Sequence, residues 1–77
     1  MEEDIVVRVV DLPCGVRGFT IMDEDGRYNI YINAKLNSFM RRKAFEHEME
    51  HIHRGDWQTD LPIWLVEQIV RKAVGEW

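Results

Sequence analysis

Hydrophobic and polar positions divide the chain into a β-patterned first half and a helix-patterned second half. Ile5 to Val10 reads Ile-Val-Val-Arg-Val-Val. Stiff β-branched side chains favour extended backbone, so this run predicts a strand. Leu12-Pro13-Cys14-Gly15 breaks it. A second strand is predicted over Gly18 to Met22, then a turn at Asp23-Glu24-Asp25-Gly26, then a third strand over Tyr28 to Asn33. Alternation in the third puts Tyr28, Ile30 and Ile32 on one face and Asn29, Tyr31 and Asn33 on the other. The short turn joins the second and third strands into a hairpin.

Beyond Asn33 the period becomes helical. Asn37 and Ser38 are good N-caps, and a helix is predicted from Ser38 to Arg54, stopped by Gly55. Asp56 to Asp60 forms a connection, Asp60 can cap a last helix, and Pro62 is tolerated in its first turn. That helix is expected from Leu61 to about Val74, with Ile63, Val66, Val70, Ala73, Val74 and Trp77 as its apolar arc. Trp57, Trp64 and Trp77 are expected over the helix pair, although Trp64 falls off the arc and so predicts an exposed ring on a contact surface.

The first helix carries His47-Glu48-Met49-Glu50-His51, an H-E-x-x-H pattern. Residues four apart stand one above the other on a helix, so two imidazoles at this spacing can grip one Zn²⁺. A glutamate beside the first can poise a water for attack on a carbonyl. At about 100° per residue, Met40, Ala44, His47 and His51 share a line, Phe45, Met49 and Ile52 lie further round the inward half, and Glu48 falls between. Glu46, Glu50, His53 and Arg54 face solvent. The expectation is that His47, Glu48 and His51 turn inward together, where a carboxylate and two imidazoles are costly unless paired or bound to metal.

Bulk composition narrows the setting. The chain has 77 residues, enough for one small domain over 1–77. A chain this short buries only about 60% of its unfolded surface, so a metal would help to hold it. The formal net charge of −4 argues against nucleic acid as a partner. Arg41-Arg42-Lys43 reads as solvated helix surface rather than a phosphate contact. A single cysteine, Cys14, forms no internal disulfide, the acidic start Met1-Glu2-Glu3-Asp4 is unlike a signal peptide, and no apolar run spans a membrane. These features predict a cytoplasmic protein. Cys14 itself reads as a small loop residue rather than a nucleophile.

A catalytic zinc takes three protein ligands and keeps an open position. Downstream candidates are His53, Asp56, Asp60 and Glu67. His53 points away. Glu67 borders the apolar arc of the last helix and suits a ligand arriving across a helix pair, so it is favoured over Asp56. Asp56 would instead orient a ligand histidine or organise the turn.

Gly18-Phe19-Thr20 through Asp25-Gly26, then Tyr28-Asn29-Ile30-Tyr31-Ile32-Asn33, then Lys43 through Trp57 resemble the small ImmA/IrrE-type zinc metallopeptidases of bacterial phages, prophages and mobile elements. The resemblance covers most of the chain, and its specific part is strand, then H-E-x-x-H, then Gly55-Asp56. It implies a minimal zincin-like domain of α+β class, a small three-stranded antiparallel sheet packed on the H-E-x-x-H helix and a C-terminal helix. It also implies a gluzincin-like site with His47, His51 and Glu67 as zinc ligands and Glu48 as general base. Tyr28, Asn29, Ile30, Tyr31, Ile32 and Asn33 would then be the edge strand that pairs with an extended substrate. In two respects the chain departs from that family: Val70-Arg71-Lys72 stands where alanine and histidine or asparagine often follow the glutamate, and the C-terminal helical part is short.

The expected activity is zinc-dependent hydrolysis of peptide bonds, by Glu-assisted attack of a zinc-bound water, on a protein or peptide substrate. Some members of the family cut repressors, a substrate that a shared motif does not carry over. Tyr31 is a candidate to steady the oxyanion, although a strand tyrosine more often packs. The alternative is a catalytically silent, zinc-stabilised protein-binding module. Retention of Glu48 argues against it, because a structural site needs only ligands.

Overall fold

A computed structural model of the chain describes residues 4–55 and 61–74. The expected strands form where the β-branched and alternating runs lie: β1 (Ile5–Val10), β2 (Gly18–Met22) and β3 (Tyr28–Asn33). Helices α1 (Ser38–Arg54) and α2 (Ile63–Val74) follow. The class is α+β, as expected, but the sheet is mixed rather than antiparallel. Its order is β1-β3-β2. β2 and β3 make the expected antiparallel hairpin, with Phe19 opposite Tyr31. β1 runs parallel to β3, from Ile5 beside Tyr28 to Val10 beside Asn33. β3 is thus the central strand, hydrogen-bonded on both sides. The expectation that Tyr28–Asn33 is an open edge is corrected: among the described residues the open edges belong to β1 and β2.

A parallel pair needs a crossover. Here the chain leaves β1, passes through the 12–17 loop and returns along β2 on the far side of β3. Asn33 holds that loop. Its Oδ1 accepts from the N–H of Leu12 (3.4 Å) and of Lys35 (3.0 Å), and its Nδ2 donates to the carbonyls of Pro13 (3.3 Å) and Val16 (2.7 Å). The side chain is buried. An asparagine expected in a substrate-pairing edge strand is therefore the fastener of the crossover.

Alternation sends the two faces of the sheet to different helices. Ile30 and Ile32 pack with Ala44 and Ile52 of α1, flanked by Phe45 and Met49. Tyr31 and Phe19 pack with Leu12 and with Val66 and Ile69 of α2. The sheet is the middle of three layers, and the helices lie on opposite faces rather than side by side. Sidedness explains the burial of β3 from Asn29 through Asn33.

Both ends of α1 are built by local chemistry. Asn37 Oδ1 accepts from the Met40 N–H at 2.8 Å, a side-chain N-cap. Gly55 closes the helix in the left-handed region at φ 77°, which its missing Cβ permits, and its N–H returns to the carbonyls of His51 and Ile52. α2 begins at Ile63, where the carbonyl of Pro62 accepts from the N–H groups of Leu65 and Val66. Its inner side is Val66 and Ile69, with Leu65, Val70 and Ala73 half-buried, so the buried arc is rotated from the expected one and leaves Ile63 exposed. Trp64 is exposed, as its position off the arc implied. Trp57, Trp77 and the expected cap Asp60 lie outside the described residues.

Candidate functional site

The buried stripe of α1 is Ala44, Glu48 and Ile52, spaced four apart. A carboxylate thus occupies the middle of a row whose other members pack on the sheet. It is satisfied there: the Thr20 hydroxyl of β2 donates to Glu48 Oε1 at 2.7 Å, and Thr20 is fully buried. Thr20 sits opposite Ile30 on the α1 face, so strand register delivers its hydroxyl beneath the helix. Sequence reasoning missed Thr20. The usable signal is a polar residue at a strand position whose neighbours on the same face are apolar.

At about 100° per residue, His47 and His51 lie on one flank of the Glu48 line, beside Met40. They are not buried among core side chains, as an inward-facing pair would be. His47 is exposed and His51 half-buried. The flank opens on a cleft instead of the sheet, which is why imidazoles are tolerated there. Their Nε2 atoms stand 3.0 Å apart, with the rings at 88° to each other. The two ring nitrogens lie within hydrogen-bonding distance of each other.

The cleft encloses about 620 Å³ between α1 and the start of β2. Met40, Lys43, Ala44, His47, Glu48 and His51 form one wall, and Gly15 to Phe19 form the other, with Leu61 at one end. Gly18 is required there by close approach, since a Cβ would lie 2.6 Å from the Tyr31 carbonyl oxygen. The Asn33 N–H donates to the Arg17 carbonyl at 2.9 Å, and Phe19 and Ile21 face Tyr31 and Asn29. Antiparallel alternation therefore turns the backbone groups of Gly18, Thr20 and Met22 outward along the open β2 edge.

The other expected site residues do not join this cleft. Glu67 is exposed on α2, the helix that packs on the opposite face of the sheet, and it does not line the cleft. Among the described residues no group of three His, Cys, Asp or Glu stands close enough to hold a metal ion. Asp56 and Asp60 lie outside the described residues. Tyr31 stacks on Phe19 at 4.9 Å, facing α2 and away from the histidines, so it packs. Burial raises its phenol pKa, against an opposing effect of the nearby Arg8 guanidinium. Cys14 is an exposed loop residue, and His53 is exposed, as expected. Among the described residues no helix is long and apolar enough to cross a membrane.

Comparison with known protein families, with curated proteins and with solved structures found no match to this chain.

Proposed function

We propose that the chain is a zinc-dependent metallopeptidase whose site is built on one flank of α1. The observation that carries this reading is the approach of the two Nε2 atoms to 3.0 Å at the mouth of a cleft that Glu48 also lines. Two nitrogens each bound to a tetrahedral Zn²⁺ stand roughly 3.3 Å apart, so the pair needs little adjustment to become two ligands. For that both imidazoles must be neutral, with their protons on Nδ1.

When bound there, Zn²⁺ would supply Lewis acidity and an acidified water, with a pKa near about 7. The chain's own residues do the rest. Thr20 fixes Glu48 Oε1, which leaves Oε2 to accept a proton from a water in the cleft and to return it to the leaving amine. The outward N–H and C=O groups of Gly18, Thr20 and Met22 pair with an extended peptide by β-augmentation, the role expected of β3. Glu67 stands on the other side of the sheet, so in this reading the third ligand passes to Asp56, which follows directly on the Gly55 stop.

Zinc analysis of purified variants tests the ligand set. His47→Ala and His51→Ala lose stoichiometric zinc, Asp56→Ala weakens its binding at least about tenfold, and Glu67→Ala leaves it unchanged. Zinc retained in Asp56→Ala and lost in Glu67→Ala would return the third position to Glu67.

A second reading is a zinc-stabilised binding module with no turnover. It is favoured by the burial of Glu48 and its tie to Thr20, which also suit a structural link between α1 and β2. Four-coordination of the bound metal by protein, measured by X-ray absorption, would support that reading, whereas a coordinated water supports the peptidase.

A further inference from the structure

The charges around the cleft differ from those of the molecule as a whole. The chain carries a formal net charge of −4. Among the described charged residues that line the cleft, however, Arg17 and Lys43 stand with one carboxylate, that of Glu48. Glu48 is already engaged by Thr20. Other cations nearby have partners. Arg41 donates to the carbonyls of Leu36 and Ala34, Arg42 pairs with Glu46, and Lys35 pairs with Asp11. Arg17 and Lys43 enter none of the ion pairs among the described residues, and both are exposed.

The backbone of Arg17 and the ammonium of Lys43 each have a neighbour in the fold. Arg17 belongs to the loop wall, and its carbonyl accepts from the Asn33 N–H at 2.9 Å, which anchors its backbone to β3. Lys43 lies one turn before His47 on the same line of α1, with its ammonium 5.7 Å from the centre of the Phe39 ring. The two residues thus line the cleft from its two walls, Lys43 one turn before His47. Met40, Val16 and Leu61 add apolar surface to the lining.

From this arrangement we infer the substrate class of the site: a peptide that places an acidic side chain between Arg17 and Lys43. The inference rests on the peptidase reading for its cleavage step, but the recognition it describes is measurable without turnover. A carboxylate on the peptide gains two cationic partners, and a neutral isostere gains neither. A basic side chain at the same place meets like charge from both walls.

The probe is a set of fluorescein-labelled octapeptides, acetylated and amidated at their ends. Each Asp or Glu peptide is matched with its Asn or Gln isostere. Binding to zinc-loaded Glu48→Gln protein is read by fluorescence anisotropy, and cleavage by the wild type is read on the same peptides by mass spectrometry. Acidic peptides should bind about tenfold more tightly than their isosteres, with the margin shrinking as salt rises. The Arg17→Glu/Lys43→Glu variant, both positions being exposed, should keep its melting temperature and shift preference to Lys- or Arg-bearing peptides. Equal binding of acid and isostere, absence of binding by any acidic peptide, or an acidic preference that survives the double substitution would each overturn the inference. Acidic peptides that bind but are never cut leave it standing and remove the peptidase reading. Peptides cut with no acidic preference do the reverse.

Discussion

Glu48 and Thr20 are the residues on which the functional reading turns. A carboxylate in the buried stripe of α1 contributes less to stability than a leucine of similar size would, because its desolvation is only partly recovered by one hydroxyl. Its presence there is better explained by chemistry than by packing. Two variants separate these explanations. Thr20→Val leaves the buried carboxylate without its donor and should destabilise the fold by about 2 kcal/mol in urea unfolding. Thr20→Val/Glu48→Leu replaces both partners with apolar groups and should recover that loss or exceed wild-type stability, while abolishing hydrolysis. A double variant less stable than Thr20→Val alone would make the pair structural. Glu48 was legible from the motif. Thr20 offered a signal, a polar residue on an apolar strand face, but its partner was not legible, because that is set by how β2 slides under α1.

The bounds of the elements followed closely from pattern and caps, since β-branched runs, Asn37 and Gly55 act locally. Their neighbours did not. Alternation states which face a side chain takes, but not which strand lies beside it, so β3 was read as an edge and β1 as antiparallel. Asn29 and Asn33 disguised a central strand, because buried asparagines with loop partners look, in sequence, like solvent-facing ones. Asn33→Leu removes the fastener of the β1–β2 crossover and should cost about 3 kcal/mol, checked by denaturant unfolding. At the hairpin, the Arg27 N–H bonded to Asp23 holds that carboxyl below its ordinary pKa of 3.8, helped by the Asn29 amide and the Asp25 N–H. A lowered folded pKa stabilises above the unfolded value, and the contribution is lost as pH falls through the folded one. Melting temperature should therefore drop less between pH of about 5 and about 2 in Asp23→Ala than in the wild type. An unchanged acid dependence would remove Asp23 from the account.

At the scale of the molecule, two apolar clusters lie on opposite faces of one sheet, and each is small. Sequence periodicity sorted each helix into an inner and an outer side but did not say that the helices would flank the sheet. That is why Glu67, on the helix that packs against the other face of the sheet, does not reach the histidines. The proposed site therefore draws nothing from α2. Metal should raise the melting temperature, and EDTA should lower it. Free zinc at 100 times its Kd is worth about 2.7 kcal/mol. No change with EDTA in a zinc-loaded sample would show that the metal does not bind the native fold. The central claim is tested most directly by incubating a peptide pool with zinc-loaded wild type and zinc-loaded Glu48→Gln in parallel and reading cleavage by mass spectrometry. The account predicts new peptide ends with the wild type and none with Glu48→Gln. No cleavage by the wild type, or equal cleavage by both, would contradict it.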